Sequence, residues 1–231
     1  MHFKNPSHFK NIRVAVFVFC LTTISPCQLQ AHKTKKVPDS GFSDEHVRAL
    51  GKDAEKFLVS KLSDPKEKNH YEGIVRQLTR IMPLDRDDAY ITQALIEFVE
   101  TQVGRKDISP AILYSIEGAI QIIGVRGGKN GTEYLGTWLD GGRTVSARLP
   151  TADSALTLHR IKRAAIRALA LNDRQDGTER LKKFKEKSLN DPTLTDSERA
   201  VFLRDLNEAA KDHEEVKRKG IEMALKERGV R

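Results

Sequence analysis

The sequence predicts an all-α domain, and two observations carry that prediction. From Ser43 onward apolar residues recur at spacings of three and four, and no convincing strand intervenes. In addition a block of residues returns 46 positions on, from 131 to 177: Gly131-Thr132-Glu133 with Leu135 reappears as Gly177-Thr178-Glu179 with Leu181. At the same offset Ala119, Ile120, Ile123 and Val125 fall on Ala165, Ile166, Leu169 and Leu171. A helix, a short turn and a second helix therefore recur together.

The chain opens on a different logic. Lys4, Lys10 and Arg13 precede the apolar run from Val14 to Ile24, and Leu29-Gln30-Ala31 then leads into His32-Lys33. A basic segment, a short apolar segment and a small residue at the cut make residues 1–31 a cleavable secretory signal peptide. The eleven apolar-segment residues would reach only about 16 Å as a helix, too short for a hydrocarbon core of about 30 Å. No later stretch reads as a transmembrane helix. Both cysteines, Cys20 and Cys27, fall inside the segment to be removed, so the mature chain holds no disulfide scaffold or thiol chemistry, as suits a bacterial envelope. The rival is a lipoprotein anchored through Cys27, because Ile24-Ser25-Pro26-Cys27 resembles a lipobox, although Pro26 stands where that motif takes a small residue. The expected location is exported, periplasmic or secreted.

Residues 32–42, with Pro38, Ser40 and Gly41, read as a flexible linker, and 43–231 as the helical domain. The first helix is expected over 43–62, where Val47, Leu50, Ala54, Phe57, Leu58 and Leu62 make one stripe. Asp64-Pro65 ends it, since proline disfavours helical geometry in the residue before it. Further helices are expected over 71–82, 87–103, 110–124, 132–139, 154–171, 178–189, 197–210 and 214–226. Asp85, Ser109, Asp153 and Asp196 stand near their starts as capping oxygens. Leu62-Ser63-Asp64-Pro65 is echoed by Leu189-Asn190-Asp191-Pro192, each closing one helix and introducing the next.

With its 46-residue period, its Leu-x-Asp-Pro turns and alanine-rich helices such as Arg163-Ala164-Ala165-Ile166-Arg167-Ala168-Leu169, the chain resembles the HEAT and armadillo-like repeat family over about residues 43–229. The resemblance implies an α-solenoid of about four stacked helix pairs. The alternative is an irregular helical bundle. Stacking is favoured physically, because each pair carries an apolar face too wide to leave wet and too small to bury alone.

Few residues invite chemistry. His46, His70, His159 and His213 lack a second His or Cys at helical ligand spacing, so no metal site is expected. Gly127-Gly128-Lys129-Asn130-Gly131 lacks the order of a phosphate loop and reads as a turn using glycine's freedom at positive φ. Asp85, Asp87 and Asp88 lack the glycine and terminal glutamate of a calcium loop and read as helix-start acids. Tyr134, Leu135, Trp138 and Leu139 form a core stripe. The irregular segment from Asp140 to Asp153, with Arg143 and Arg148, is long enough to be a binding loop. No cofactor is expected.

Net charge, formally +8, misleads about partners. Lys4, Lys10 and Arg13 belong to the leader and Lys33, Lys35 and Lys36 to the linker, which leaves the folded part only weakly basic. Within 160–187, however, ten basic residues face four acids. Arg160, Arg163 and Arg167 share one helical face, as do Arg180, Lys183 and Lys187 on the next, with Lys182 alongside. Phe184 is the one aromatic nearby, so nucleic acid is disfavoured, and a protein partner or an anionic surface such as lipid head groups is expected. The sequence thus describes an exported, non-enzymatic helical-repeat binding module. The rival is an envelope enzyme whose groups converge in space, for instance His159, Asp140 and Glu133.

Overall fold

The computed structural model describes residues 42–81, 89–126, 128–141, 143–150, 154–172 and 174–227. The leader with Cys20 and Cys27, the linker up to residue 41, and Asp85, Asp87, Asp88, Gly127 and Asp153 lie outside the described residues.

Among the described residues the chain is all-helical. Ten α-helices follow one another: α1 Asp44–Ala49, α2 Ala54–Leu62, α3 Tyr71–Ile81, α4 Ala89–Val103, α5 Pro110–Arg126, α6 Lys129–Asp140, α7 Ser154–Ala170, α8 Gln175–Asn190, α9 Asp196–Lys219 and α10 Ile221–Glu227. Short 3-10 turns cover Gly51–Asp53 and Pro65–His70. The described residues hold no strand; an isolated parallel bridge joins Asp107 and Arg148.

Beyond shifts of up to three residues at helix ends, two differences from the sequence reading stand out. The helix expected over 43–62 breaks at Gly51, whose φ is 54°, a region that costs other residues energy. The helices expected over 197–210 and 214–226 are instead one helix, α9, which ends at Gly220 with φ 80°. The polar run Lys211-Asp212-His213 does not interrupt it: Lys211 is exposed, while His213 faces α8, its Nε2 3.1 Å from Thr178 Oγ1. Its start carries a capping box: Thr195 accepts from the Glu198 amide while Glu198 accepts from the Thr195 amide. Gly128 caps α6 at φ −64°, so positive φ is not what this glycine supplies.

The two Asp-Pro turns are alike in backbone as well as sequence. Asp64 sits at φ −87°, ψ 114° and Asp191 at φ −76°, ψ 110°. Each carboxylate accepts from the amide two residues on, Lys66 and Thr193, both at 2.9 Å. The first turn leads from α2 toward α3, the second from α8 to α9. Proline holds its predecessor in the extended region, which stops the helix before it.

Packing follows a regular rule. α2 packs on α3, α4 on α5, α6 on α7 and α8 on α9. Each also packs on the helix two further along, so that α3, α5, α7 and α9 touch in succession, as do α2, α4, α6 and α8. The first succession is tight: a Cβ on Gly118 of α5 would lie 2.5 Å from Val75 Cγ1, and one on Gly124 would meet Ala168 of α7 at 2.6 Å. One continuous core results, with Leu58, Ile74, Leu95, Ile116, Leu135, Trp138 and Leu169 all shut away from solvent.

The repeated glycines occupy corresponding places. Gly131 and Gly177 are each the third residue of their helix. A Cβ on Gly131 would meet the Ile123 side chain at 3.0 Å, and one on Gly177 the Leu169 side chain at 3.6 Å. Ile123 and Leu169 are themselves a pair at the 46-residue offset.

Candidate interaction surface

The basic residues of α7 and α8 divide into two kinds. Arg160 sits between helices: its Nε and Nη2 donate to the two carboxylate oxygens of Glu117 on α5, both at 2.7 Å, and its guanidinium lies 5.0 Å from the Tyr114 ring centroid. Burial works against its charge, but the bond to Glu117 and that carboxylate's field carry its pKa up. Arg163 donates to Asp205 on α9, whose side chain is wholly buried, and Arg167 approaches the same carboxylate at 3.9 Å. Arg180 donates to Asp140 Oδ2 at 3.2 Å and Lys187 to the Asp140 carbonyl at 2.5 Å. Five of the seven residues on the two basic faces therefore tie neighbouring helices together.

The remaining two, Lys182 and Lys183, are exposed, as is Lys185 beside them, and none holds an ion pair among the described residues. Lys182 and Lys185 edge a groove of about 680 Å³ between α8 and α9. Leu181 and Leu206 line its apolar floor together with the exposed Ala210, and Lys217 stands on the α9 side. Thr178 Oγ1 and His213 Nε2, 3.1 Å apart, bridge the two helices within it. Sequence reasoning singled out Lys182, counted Lys185 only within the basic stretch, and missed Ala210 and Lys217, because only the α8–α9 contact brings them together.

Such a groove can take an aliphatic side chain on its floor and carboxylates on its ammonium groups. Among the described residues no group of His, Cys, Asp and Glu could hold a metal ion, and no helix is long and apolar enough to cross a membrane. His159 stacks on Phe202 at 4.5 Å, Asp140 takes Arg180, and Glu133 lies 3.8 Å from Lys129; no described contact joins the three. Burial first, then the Arg163 charge, lower the His159 pKa against the opposing pull of Glu198 and Asp205.

The segment after α6 is pinned where it is described. Ser146 and Ala147 amides donate to the Val103 carbonyl at 3.2 Å, and Arg148 donates to Lys106 at 3.0 Å. Arg143 lies 4.3 Å over the Trp138 ring and pairs with Glu100 at 2.5 Å. Tyr134 donates to Glu100 at 2.7 Å, and burial together with that carboxylate raises the phenol pKa above its ordinary range. Trp138 itself is core, fully buried.

A signal for the structural arginines exists in the numbering. Glu117 and Arg160, Glu100 and Arg143, Arg163 and Asp205, and Asp140 and Arg180 are separated by 43, 43, 42 and 40 residues. Those spacings approximate one repeat. No family model, curated protein or solved structure matches the chain.

Proposed function

We propose that this chain is an exported, non-enzymatic helical-repeat module, an α-solenoid of four stacked pairs (α2/α3, α4/α5, α6/α7, α8/α9), which binds an acidic protein partner through the lysine face of α8. Succession of contacts at every second helix supports the stacked reading, as do the corresponding seats of Gly131 and Gly177. Export rests on the leader alone.

One observation carries the binding reading. Arg160, Arg163, Arg167, Arg180 and Lys187 are consumed in ties between helices, yet Lys182, Lys183 and Lys185 remain together on open surface. A like-charge cluster raises its own electrostatic energy, and an approaching acidic surface relieves that repulsion and speeds encounter. Affinity purification from the native source tests it, with the processed protein as bait. Lys182→Glu, Lys183→Glu and Lys185→Glu together are expected to abolish recovery of a stoichiometric partner while leaving far-UV circular dichroism unchanged. Equal recovery by the triple variant refutes the reading.

A further inference from the structure

The groove between α8 and α9 has a counterpart one repeat earlier, and the comparison says what fills it. Moving back 46 positions, Thr178, Leu181, Lys182 and Lys185 become Thr132, Leu135, Gly136 and Leu139. On α6 these positions are covered. Leu135 and Leu139 are 0% and 2% exposed, and Gly136 lies under α8, where a Cβ would come within 2.5 Å of Arg180 Cδ. Thr132 accepts from Asn172 Nδ2 at 2.6 Å. On α8 Lys182 and Lys185 are exposed where α6 has glycine and leucine, while Leu181 stays nearly buried beneath them. α10, seven residues long, packs on α9.

Resting on the stacked-pair reading, the geometry points to a helix-binding seat: the α8/α9 groove receives one amphipathic helix of a protein partner, its apolar stripe flanked by aspartates or glutamates. The partner helix docks on α8 much as α8 docks on α6. Helix-in-groove recognition needs an apolar floor for side chains at i, i+3 and i+4, and a polar bank that sets orientation. Leu181, Leu206 and Ala210 supply the floor, and Lys182, Lys185 and Lys217 outnumber the single acid, Glu214, on the bank. The charge sense is reversed from the internal junction. There α6 supplies the acid, Asp140, and α8 the cations, Arg180 and Lys187; at the open seat α8 supplies cations, so the occupant supplies acids.

The probe is a fluorescein-labelled helical peptide with leucines at every third or fourth position flanked by glutamates, titrated with the intact protein by anisotropy. Saturable binding is expected, weakened about tenfold or more when Lys182, Lys185 and Lys217 become glutamate. A similar loss is expected for Ala210→Trp, which fills the groove from an exposed position, and for peptides with serine for leucine or glutamine for glutamate. Failure to saturate makes this end a solubilising cap and overturns the inference. So does unchanged affinity for Ala210→Trp, or a serine peptide that binds as well as the leucine one. Vesicles of phosphatidylglycerol that bind Ala210→Trp as well as wild type while the peptide binds neither, or self-association abolished by Ala210→Trp without peptide binding, overturn it in favour of lipid or a second copy. If Ala210→Trp retains the native partner in purification while lysine reversal loses it, the groove falls and the module reading stands.

Discussion

Gly124→Ala tests the seam between α5 and α7 through the sign of its effect. Gly124 lies in α5 where that helix meets α7 in the most extensive helix contact among the described residues. A Cβ there would lie 2.6 Å from Ala168 Cβ and from the Ala168 carbonyl carbon. The obstruction is mostly backbone, so relief requires the two helices to separate rather than one side chain to swing. In a free helix alanine is favoured over glycine by about 1 kcal/mol. Overpacking costs about 1–3 kcal/mol, and a backbone clash belongs at the upper end. The net loss is then about 2 kcal/mol, which for a domain of this size lowers Tm by about 4–8 °C. Gly73 is the control. It is exposed on α3 with nothing within 4 Å of an added Cβ, so Gly73→Ala should raise Tm by up to about 4 °C. Thermal melts followed by far-UV circular dichroism read both variants. A Gly124→Ala protein as stable as wild type, or shifted in the same direction as Gly73→Ala, refutes the close approach of α5 and α7.

Asp205→Ala should cost about 3 kcal/mol or more, because it leaves Arg163, Arg167 and Arg204 around a vacated buried acceptor; a Tm drop of less than about 2 °C contradicts the tie between α7 and α9. Acidification from pH 7 to 5 should destabilise the domain through His159. Its folded pKa is lowered by burial and by Arg163, so the unfolded chain binds the proton first. Its contribution is complete above the ordinary histidine value of about 6.5 and is lost as pH falls through the folded pKa. Glu198 and Asp191 also have lowered pKa values, from side-chain and backbone bonds to Thr195 and Thr193, but their contributions fade only in the carboxylate range. His159→Phe keeps the ring against Phe202 and should flatten the pH 7 to 5 slope in urea midpoints; an undiminished slope refutes the assignment.

Helical class was legible because period alone sets it: the stripe through Val47, Leu58 and Leu62 needs no tertiary information. The Asp-Pro turns were legible because proline acts on its own neighbour, and Asp64 and Asp191 duly share one backbone conformation. The breaks at Gly51 and Gly220 were not. A lone glycine is compatible with a helix interior at modest cost, and positive φ becomes the better state only when the next segment turns away to pack. Lys211-Asp212-His213 misled in the opposite direction, since a polar residue can face a neighbouring helix, as His213 faces α8, without marking an end. The segment after α6 looked like a free loop because its anchors, the Val103 and Lys106 carbonyls, lie far away in sequence.

The basic faces are the most informative case, because the sequence does not say which of their cations are engaged. Arg160, Arg163 and Arg167 share a helical face, and on an isolated helix that face would be solvent. In α7 it is a seam: Arg160 reaches back to α5 and Arg163 forward to α9. Charge density along one helix therefore counts structural ties and free cations alike. Acids about one repeat away separate the two classes, since Arg160, Arg163 and Arg180 each have a carboxylate 40–43 residues distant and bonded. Lys182, Lys183 and Lys185 are exposed and hold no ion pair among the described residues. A helix of the proposed partner laid along α8 would give them what Asp140 gives Arg180, and for that reason the search for a partner belongs at the α8/α9 groove.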